Sequence, residues 1–567
     1  MTGKLANRRI RLTLVCLTFA FGATLARVVW LQVFRAPALE RLAARQHHET
    51  VTIPAGRGTI FDRMGVQMAI GEEATTVYAD PRQVRRPERV AVAAAKALGV
   101  DANALYPQLR DKKRSFVYVQ RQADPARAAL LQKQGIPGLG FYPEERRGYP
   151  QRSVGAQALG YAGVDNKGLS GLELWLERDL AGKPGAQTIV RDPFGRTIDV
   201  VSSTPERPGR DVFLTLDHTI QSKVESVLRA TISRWDAVSG TAIVLDPKTG
   251  GVLAMATAPS FDANRFGSVA RDLQRNRAVT DTYEPGSTFK VVTYAAALSE
   301  SVVAPTTRLS LPYEIQVADR PVHDAESRST ETMDVSEMLA RSSNVGTVML
   351  AQLLGRERLA DWIARFGFGK STGIDFPGES PGIVLPLERW SGSTIGNVPI
   401  GQGIAVTPAQ MAAAYGAIAN GGLWVQPHLV ERVRGRPAPR IARRRILAKG
   451  VDAALLEMLR QAVLDGTGTA AALPGYQVAG KTGTAQKPDP EGGYSDTKYV
   501  ASFVGIVPAS APRLVILVSI DEPQGAIFGG AVAAPAFRDI ARFTLQYLEV
   551  PPDDPLSLRA AADAPLG

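Results

Sequence analysis

Thr241-Ala-Ile-Val-Leu-Asp-Pro-Lys-Thr-Gly-Gly-Val-Leu-Ala-Met-Ala-Thr257 decides how the larger part of this chain is read. Thr241–Asp246 and Gly251–Thr257 are apolar runs of strand length. Pro247-Lys-Thr-Gly250 between them supplies turn residues, so the stretch predicts a β-hairpin. Working outward, helical patterns follow at Ser287–Leu298, Val335–Arg341, Val345–Leu354, Pro408–Ala419 and Leu455–Leu464. Two strands come late, Tyr499–Val507 and Arg513–Ile520, and a last helix is expected over Ala533–Leu548. Strands at both ends with helices between them predict an α+β fold, one antiparallel sheet covered by helices. The chain shows no internal repeat.

Upstream, Lys4, Arg8, Arg9 and Arg11 precede an apolar run from Leu12 to Phe34. At about 1.5 Å per residue this run is long enough to cross a bilayer core. The basic flank predicts that residues 1–11 stay in the cytoplasm and that the rest is periplasmic. A cleaved signal peptide is the rival, but Thr24-Leu25-Ala26 is a poor cleavage site, so an uncleaved anchor over 12–34 is expected. Arg27 interrupts the run. Its guanidinium either snorkels to the interface or meets a partner in the membrane. Pro37–His48 predicts a short helix leaving the membrane. Residues 35–210 mix short strands, turns and a helical patch, Glu88–Leu98, and offer no nucleophile with a partnered base. They form a β-rich, non-catalytic pedestal in this reading, with the catalytic domain at 211–550. The Pro-, Asp- and Ala-rich segment 551–567 predicts disorder.

With 567 residues the chain should hold two or three domains. Its five histidines are scattered without ligand spacing such as HExxH, so neither a metal site nor a His-based triad is expected. The single cysteine, Cys16, cannot form an intrachain disulfide and is silent on compartment. A net charge of +11 favours anionic surroundings, but no nucleic-acid signature accompanies it. The one basic cluster, Arg432 to Arg445, is expected to be a solvated loop, with contact to anionic lipid or wall polymer as the alternative.

Three short motifs carry chemistry: Ser287-Thr-Phe-Lys290, Ser342-Ser-Asn344 and Lys481-Thr-Gly-Thr484. Each alone is weak. Decoys occur at Ser495-Asp-Thr-Lys498, placed in a Gly/Asp-rich loop, and at Lys248-Thr-Gly250, the hairpin turn. Order and local context distinguish the set. Pro285-Gly286 puts Ser287 at a helix start, and Lys290 follows one turn on, beside the hydroxyl. A serine hydroxyl needs a base to take its proton. A lysine serves if desolvation and a second cation lower its pKa, and Lys481 can be that cation. Ser342 can relay the proton to the leaving amine, and Asn344 can bond substrate amide or Lys290. The third motif is expected to follow a strand at Tyr476–Gly480, with Gly483 letting substrate backbone lie alongside. Thr482 and Thr484 offer hydroxyls to a carboxylate beside Lys481. Backbone N–H groups of Ser287 and Thr484 are candidate oxyanion donors.

The ordered set occurs in penicillin-binding proteins and class A β-lactamases. Further stretches sharpen the likeness: Arg57-Gly-Thr-Ile-Phe-Asp-Arg63, Arg147-Gly-Tyr-Pro150, Gly171-Leu-Glu173, Glu284-Pro-Gly-Ser287 and Gly401-Gln-Gly403. With them the chain resembles the class B penicillin-binding proteins, up to about residue 548. The resemblance implies a serine β-lactamase-like transpeptidase domain on a pedestal, with no glycosyltransferase domain and no cofactor. It also implies D-Ala-D-Ala stem peptides as acyl donors, a stem-peptide amine as acceptor, and β-lactam antibiotics as inhibitors. Arg27–Val33, Val201–Thr204 and Gly530–Pro535 resemble the division-specific type, penicillin-binding protein 3. That likeness implies a membrane glycan polymerase and other division proteins as partners, with the elongation type as its alternative. Asp62 and the pedestal arginines read most simply as buried ion pairs tying the pedestal to the catalytic domain. Gly401 and Gly403 read as tight-turn residues.

Two other functions stay open. A hydrolase of the class A β-lactamase kind deacylates through a glutamate. In that resemblance the glutamate lies in an E-x-x-x-N pattern between the second and third motifs, and none is found here. A β-lactam sensor would carry a cytoplasmic signalling portion, and only Met1–Arg11 precedes the anchor.

Overall fold

The computed structural model describes residues 2–36, 48–191, 197–489 and 491–562. It divides into two compact units, Met1–Gly56 with Gly182–Pro208, and Arg57–Ala181 with Gly209–Gly567. In the first unit a helix runs Thr2–Val29 and continues as a π-helical turn, Trp30–Arg35. Within Asn7–Arg35 an 18-residue stretch has a mean hydropathy of 1.9, and the helix is long enough to cross a membrane. The helix expected over Pro37–His48 lies outside the described residues except for His48, which opens a strand, His48–Ile53. That strand pairs antiparallel with Gly185–Arg191, and Gly185–Arg191 pairs with Thr197–Thr204.

In the second unit the pedestal is organised by the long strand Gln67–Ala79, which pairs antiparallel with Val117–Ala123 on one side and Leu139–Gly148 on the other. Helices Pro87–Leu98, Ala102–Arg110 and Pro125–Gln132 cover one face and bury Val77, Ala79, Val117 and Val119. Asp101 and Asp124 cap the second and third of these helices through their carboxylates. The sheet does not end at residue 210. Ile60–Phe61 pairs with Val212–Leu214, and Val212–Leu214 pairs with Val430–Val433.

The pedestal arginines pair within the pedestal itself. Glu173, fully buried, receives Arg57 at 2.7 Å and Arg147 at 2.6 Å. Asp62 makes the tie to the catalytic part. It accepts from the backbone of Met64 and Val66 and lies 2.7 Å from His218 Nδ1. The basic cluster is exposed at every arginine but Arg444, as expected, and several of these side chains are also held by neighbours. Arg432 lies 3.4 Å over the Phe213 ring, Arg434 pairs with Asp211 and Arg436 with Asp179. Arg444 stacks on Trp424 and donates to the carbonyls of Arg365 and Phe366 at a helix C-terminus. Aromatic rings, carboxylates and free carbonyls nearby hold these charges.

The catalytic sheet has five antiparallel strands: β1 Ser239–Leu245, β2 Val252–Ala258, β3 Ala479–Pro488, β4 Tyr494–Val507 and β5 Leu514–Asp521, in the order β2-β1-β5-β4-β3. Helices α1 (His218–Arg234) and α6 (Gly529–Tyr547) pack on one face. The other face is covered by α2 (Lys290–Ser299), α3 (Asn344–Leu354), α4 (Pro408–Ala419) and α5 (Val451–Leu464). Along β5, Leu514, Ile516, Val518 and Ile520 enter one core while Val515 and Leu517 enter the other. Both faces are dry there, so the strand is apolar from Leu514 to Val518 and does not alternate.

Three expectations change. The third motif lies inside β3, not after a strand at Tyr476–Gly480, and Ser495–Lys498 lies in β4, not in a loop. Gly480, Gly483 and the Gly492-Gly493 turn weaken the local strand signal, which pairing with a long neighbour overrides. The tail does not read as disordered over its described part. Asp553 accepts from Gln477 N and Ser510 Oγ, Ser557 Oγ accepts from Gly475 N, and Pro555–Ala562 is helical.

Candidate active site

Ser287 stands in a 3₁₀ turn, Gly286–Phe289, that opens α2. The turn is fixed on several sides. Thr288 Oγ1 donates to Pro285 O at 2.7 Å, Tyr415 OH donates to Thr288 O at 2.9 Å, and Gly286 N donates to Gly401 O at 3.1 Å. Gly401 has φ +79°, and a Cβ there would run into the backbone of Gly286. It is therefore a turn glycine that also lets one loop seat against the turn bearing Ser287. Glu284 Oε1 accepts from Gly403 N and from Tyr494 OH, both at 3.1 Å, and burial pushes its carboxyl pKa up.

Residues three apart eclipse in a 3₁₀ turn, which sets Lys290 beneath Ser287. Lys290 is fully buried. Its Nζ donates to Ser342 O at 2.6 Å and Asn344 Oδ1 at 2.7 Å, with Ser342 Oγ at 3.3 Å. Ser342 has φ +59°, an uncommon backbone for serine, found here between α3 and the helix Val335–Ala340.

The sequence reading missed what holds this loop. Asp324 accepts Ser343 Oγ at 3.0 Å and Val345 N at 3.0 Å, and pairs with Arg328 at 2.6 Å. Asn344 Nδ2 donates to His323 O at 3.0 Å. The one local hint in the sequence is the i,i+4 spacing of Asp324 and Arg328.

Lys481 is also fully buried, on β3, with Nζ 3.3 Å from Thr482 O and Thr482 Oγ1. Thr482 Oγ1 lies 2.7 Å from Thr467 Oγ1. Thr484 is half-buried, and its hydroxyl accepts from Gly529 N at 3.2 Å. The missing side chain of Gly483 serves packing: a Cβ would meet Ser502 Oγ, Thr288 Cγ2 and Pro285 O. Its absence lets the turn bearing Ser287 lie against β3. Burial holds Lys290 well below the usual lysine range, and the Lys481 charge lowers it further against the opposing pull of Asp324. Burial brings Lys481 down to about 7.

A neutral lysine amine has two N–H donors and one lone pair. At Lys290 the two short bonds go to Ser342 O and Asn344 Oδ1, groups that only accept. The lone pair is left for a hydroxyl. The arrangement can take a proton from one serine and return it through another.

Residues 240–542 match the penicillin-binding protein transpeptidase domain, and residues 52–214 match the penicillin-binding protein dimerisation domain. The chain belongs to the penicillin-binding protein transpeptidase family, in its class B. It is 33% identical to the peptidoglycan D,D-transpeptidase FtsI of Escherichia coli (strain K12), covering 96% of this chain and 92% of the relative. It is 36% identical to the penicillin-binding protein PbpB of Mycobacterium tuberculosis, covering 94% and 84%. The crystal structure of penicillin-binding protein 3 from that organism, complexed with aztreonam, superposes with a TM-score of 0.69. It is 32% identical and covers 89% of this chain and 99% of that one.

Proposed function

We propose that this chain is a peptidoglycan D,D-transpeptidase of the division septum, with Ser287 as its nucleophile. The observation that carries the reading is the Lys290 amine, buried, committed through both N–H groups, and one 3₁₀ turn from Ser287. Residues 211–550 perform the chemistry, and residues 35–210 are a non-catalytic pedestal. Ser287 Oγ attacks the carbonyl between the two D-alanines of a stem peptide as its proton passes to Lys290. The resulting oxyanion sits at the N–H groups of Ser287 and Thr484. When the C–N bond breaks, the leaving D-alanine amine takes the proton back from Lys290 through Ser342. The acyl group stays on Ser287 until the amine of a second stem peptide displaces it and restores the hydroxyl. Lys481, with the hydroxyls of Thr482 and Thr484, holds the terminal carboxylate, and Asn344 orients both the substrate amide and Lys290. β-Lactams acylate the same serine.

The N-terminus is cytoplasmic and the catalytic part periplasmic, as the basic flank of the anchor dictates. A membrane-embedded glycan polymerase of the division machinery is the partner, met through the anchor helix and pedestal. Full-length protein incubated with labelled penicillin should carry one adduct, mapped by mass spectrometry to Ser287 and absent in Ser287→Ala. An adduct on Ser495 or elsewhere overturns the assignment. Depletion in a rod-shaped host should give undivided filaments; cells that round up while still dividing would assign the chain to elongation.

A further inference from the structure

The pedestal sheet buries one face under three helices and leaves the distal part of the other uncovered. Strand alternation sends Val77, Ala79, Val117 and Val119 into the helical core, so Tyr78, Tyr118, Gly140 and Tyr142 emerge on the opposite side. Tyr78 sits opposite both Tyr118 and Gly140, and Tyr142 sits opposite Thr76. A Cβ at Gly140 would run into the Tyr78 ring, which therefore lies directly across that backbone. Phe116 stacks on Tyr78 with centroids 5.0 Å apart, Tyr118 meets Phe116 edge-on at 4.8 Å, and Tyr142 lies 5.9 Å from Tyr78. Phe116 is 44% and Tyr118 48% exposed.

From this reading of the face we propose that the aromatic platform is a saccharide-binding site for the glycan backbone of the polymer. It rests on the reading above that Ser287 joins the peptides of that polymer. The composition of the face selects a sugar. Along the paired rows from Tyr78 and Gly140 to Glu72 and Arg146 it carries rings, hydroxyls and charges, with Ala74 its one aliphatic side chain. A pyranose presents a flat C–H face to a ring and hydroxyls at its rim to charged groups. The core of a protein interface, by contrast, is depleted of charge. Here the polar border adjoins the rings. Arg121 lies 5.5 Å from the Tyr118 centroid and is held by Glu144 and Asp165. Arg121 Nε, beside Tyr118, is buried and has no protein hydrogen-bond partner. Tyr142 is held protonated by burial and by its neighbours Tyr118 and Glu144, which keeps its hydroxyl a donor. The platform would hold the backbone of a strand while its peptides reach Ser287.

The test uses full-length protein in nanodiscs, with tetra-N-acetylchitotetraose and uncross-linked glycan strands as probes in saturation-transfer NMR and calorimetry. Wild type should bind both. The double variant Phe116→Ser/Tyr118→Ser should lose at least fivefold in affinity, while Tyr118→Trp keeps a ring and keeps binding. Labelling of Ser287 by penicillin should be unchanged in every variant, which also certifies folding. Absence of binding by wild type at the solubility limit of the probes overturns the proposal. So does full affinity in the double-serine variant, which would leave the face to a protein partner. Failure of wild type to be labelled at Ser287 would instead remove the transpeptidase reading.

Discussion

Two of the buried charge clusters among the described residues are built on opposite plans. In the pedestal, Arg57 and Arg147 converge on one carboxylate, Glu173, and Glu177 adds a second to Arg57. Burial alone would pull the Arg57 guanidinium down, but Glu173 and Glu177 raise it above its ordinary value. In the active site, two lysines are buried without a carboxylate in contact among the described residues, and each is lowered. The pedestal neutralises its charges and becomes rigid. The active site leaves a basic amine uncompensated, and that amine is free to accept a proton. Burial gives structure in one place and reactivity in the other, and the presence of a counter-ion decides which.

The contrast can be broken most sharply at Lys290. Lys290→Arg keeps the charge but cannot act as a base, so the acylation rate by penicillin should fall by about 10²–10⁴ in stopped-flow labelling. Near-normal acylation would make Lys290 an electrostatic group only. On the other side, Glu173→Ala strands the buried Arg147 guanidinium, leaves Arg57 with Glu177 alone, and should cost about 3–5 kcal/mol in urea unfolding. The folded fraction should still label at Ser287. A loss below 1 kcal/mol would mean that water already reaches the cluster.

A subtler effect belongs to pH. The second-order acylation rate should rise as Lys290 loses its proton and fall as Lys481 does so near pH 7. The Lys481 charge helps to lower Lys290. Lys481→Met should therefore remove the falling limb and move the rising limb to higher pH. A rising limb that stays in place would show that the lysines do not sense each other. The smallest effect is expected at Arg436, half-exposed and paired with Asp179. Arg436→Ala should change stability by no more than about 1 kcal/mol, and less in high salt.

Much of the catalytic half was readable from the chain alone, because its signals are local. The hairpin at 241–257, the helix Pro408–Ala419 and the serine–lysine turn each declare themselves within a dozen residues. What escaped is long-range. Asp324 holds the Ser342–Asn344 loop from outside any motif, and Glu173 meets Arg57 across 116 residues of sequence. The packing of the Ser287 turn where a Gly483 side chain would stand is equally invisible in the local sequence. The arginines at 432–445 are mostly exposed, as read, but the stacking of Arg432 on Phe213 and Arg444 on Trp424 leaves no mark on neighbouring residues.

The strand Val212–Leu214, set between Ile60–Phe61 and Val430–Val433, governs the order of assembly. A chain that emerges N-terminus first exposes one side of Ile60–Phe61 until residue 214 appears, and the outer edge of Val212–Leu214 until residue 433 does. The catalytic sheet waits longer still, since β1 needs β5, more than two hundred residues later. Pairings so distant in sequence form slowly and leave unpaired edges open to wrong partners. Synthesis and folding are thereby linked in time: the pedestal sheet closes only after most of the chain has been made, so a truncated chain leaves both sheets incomplete.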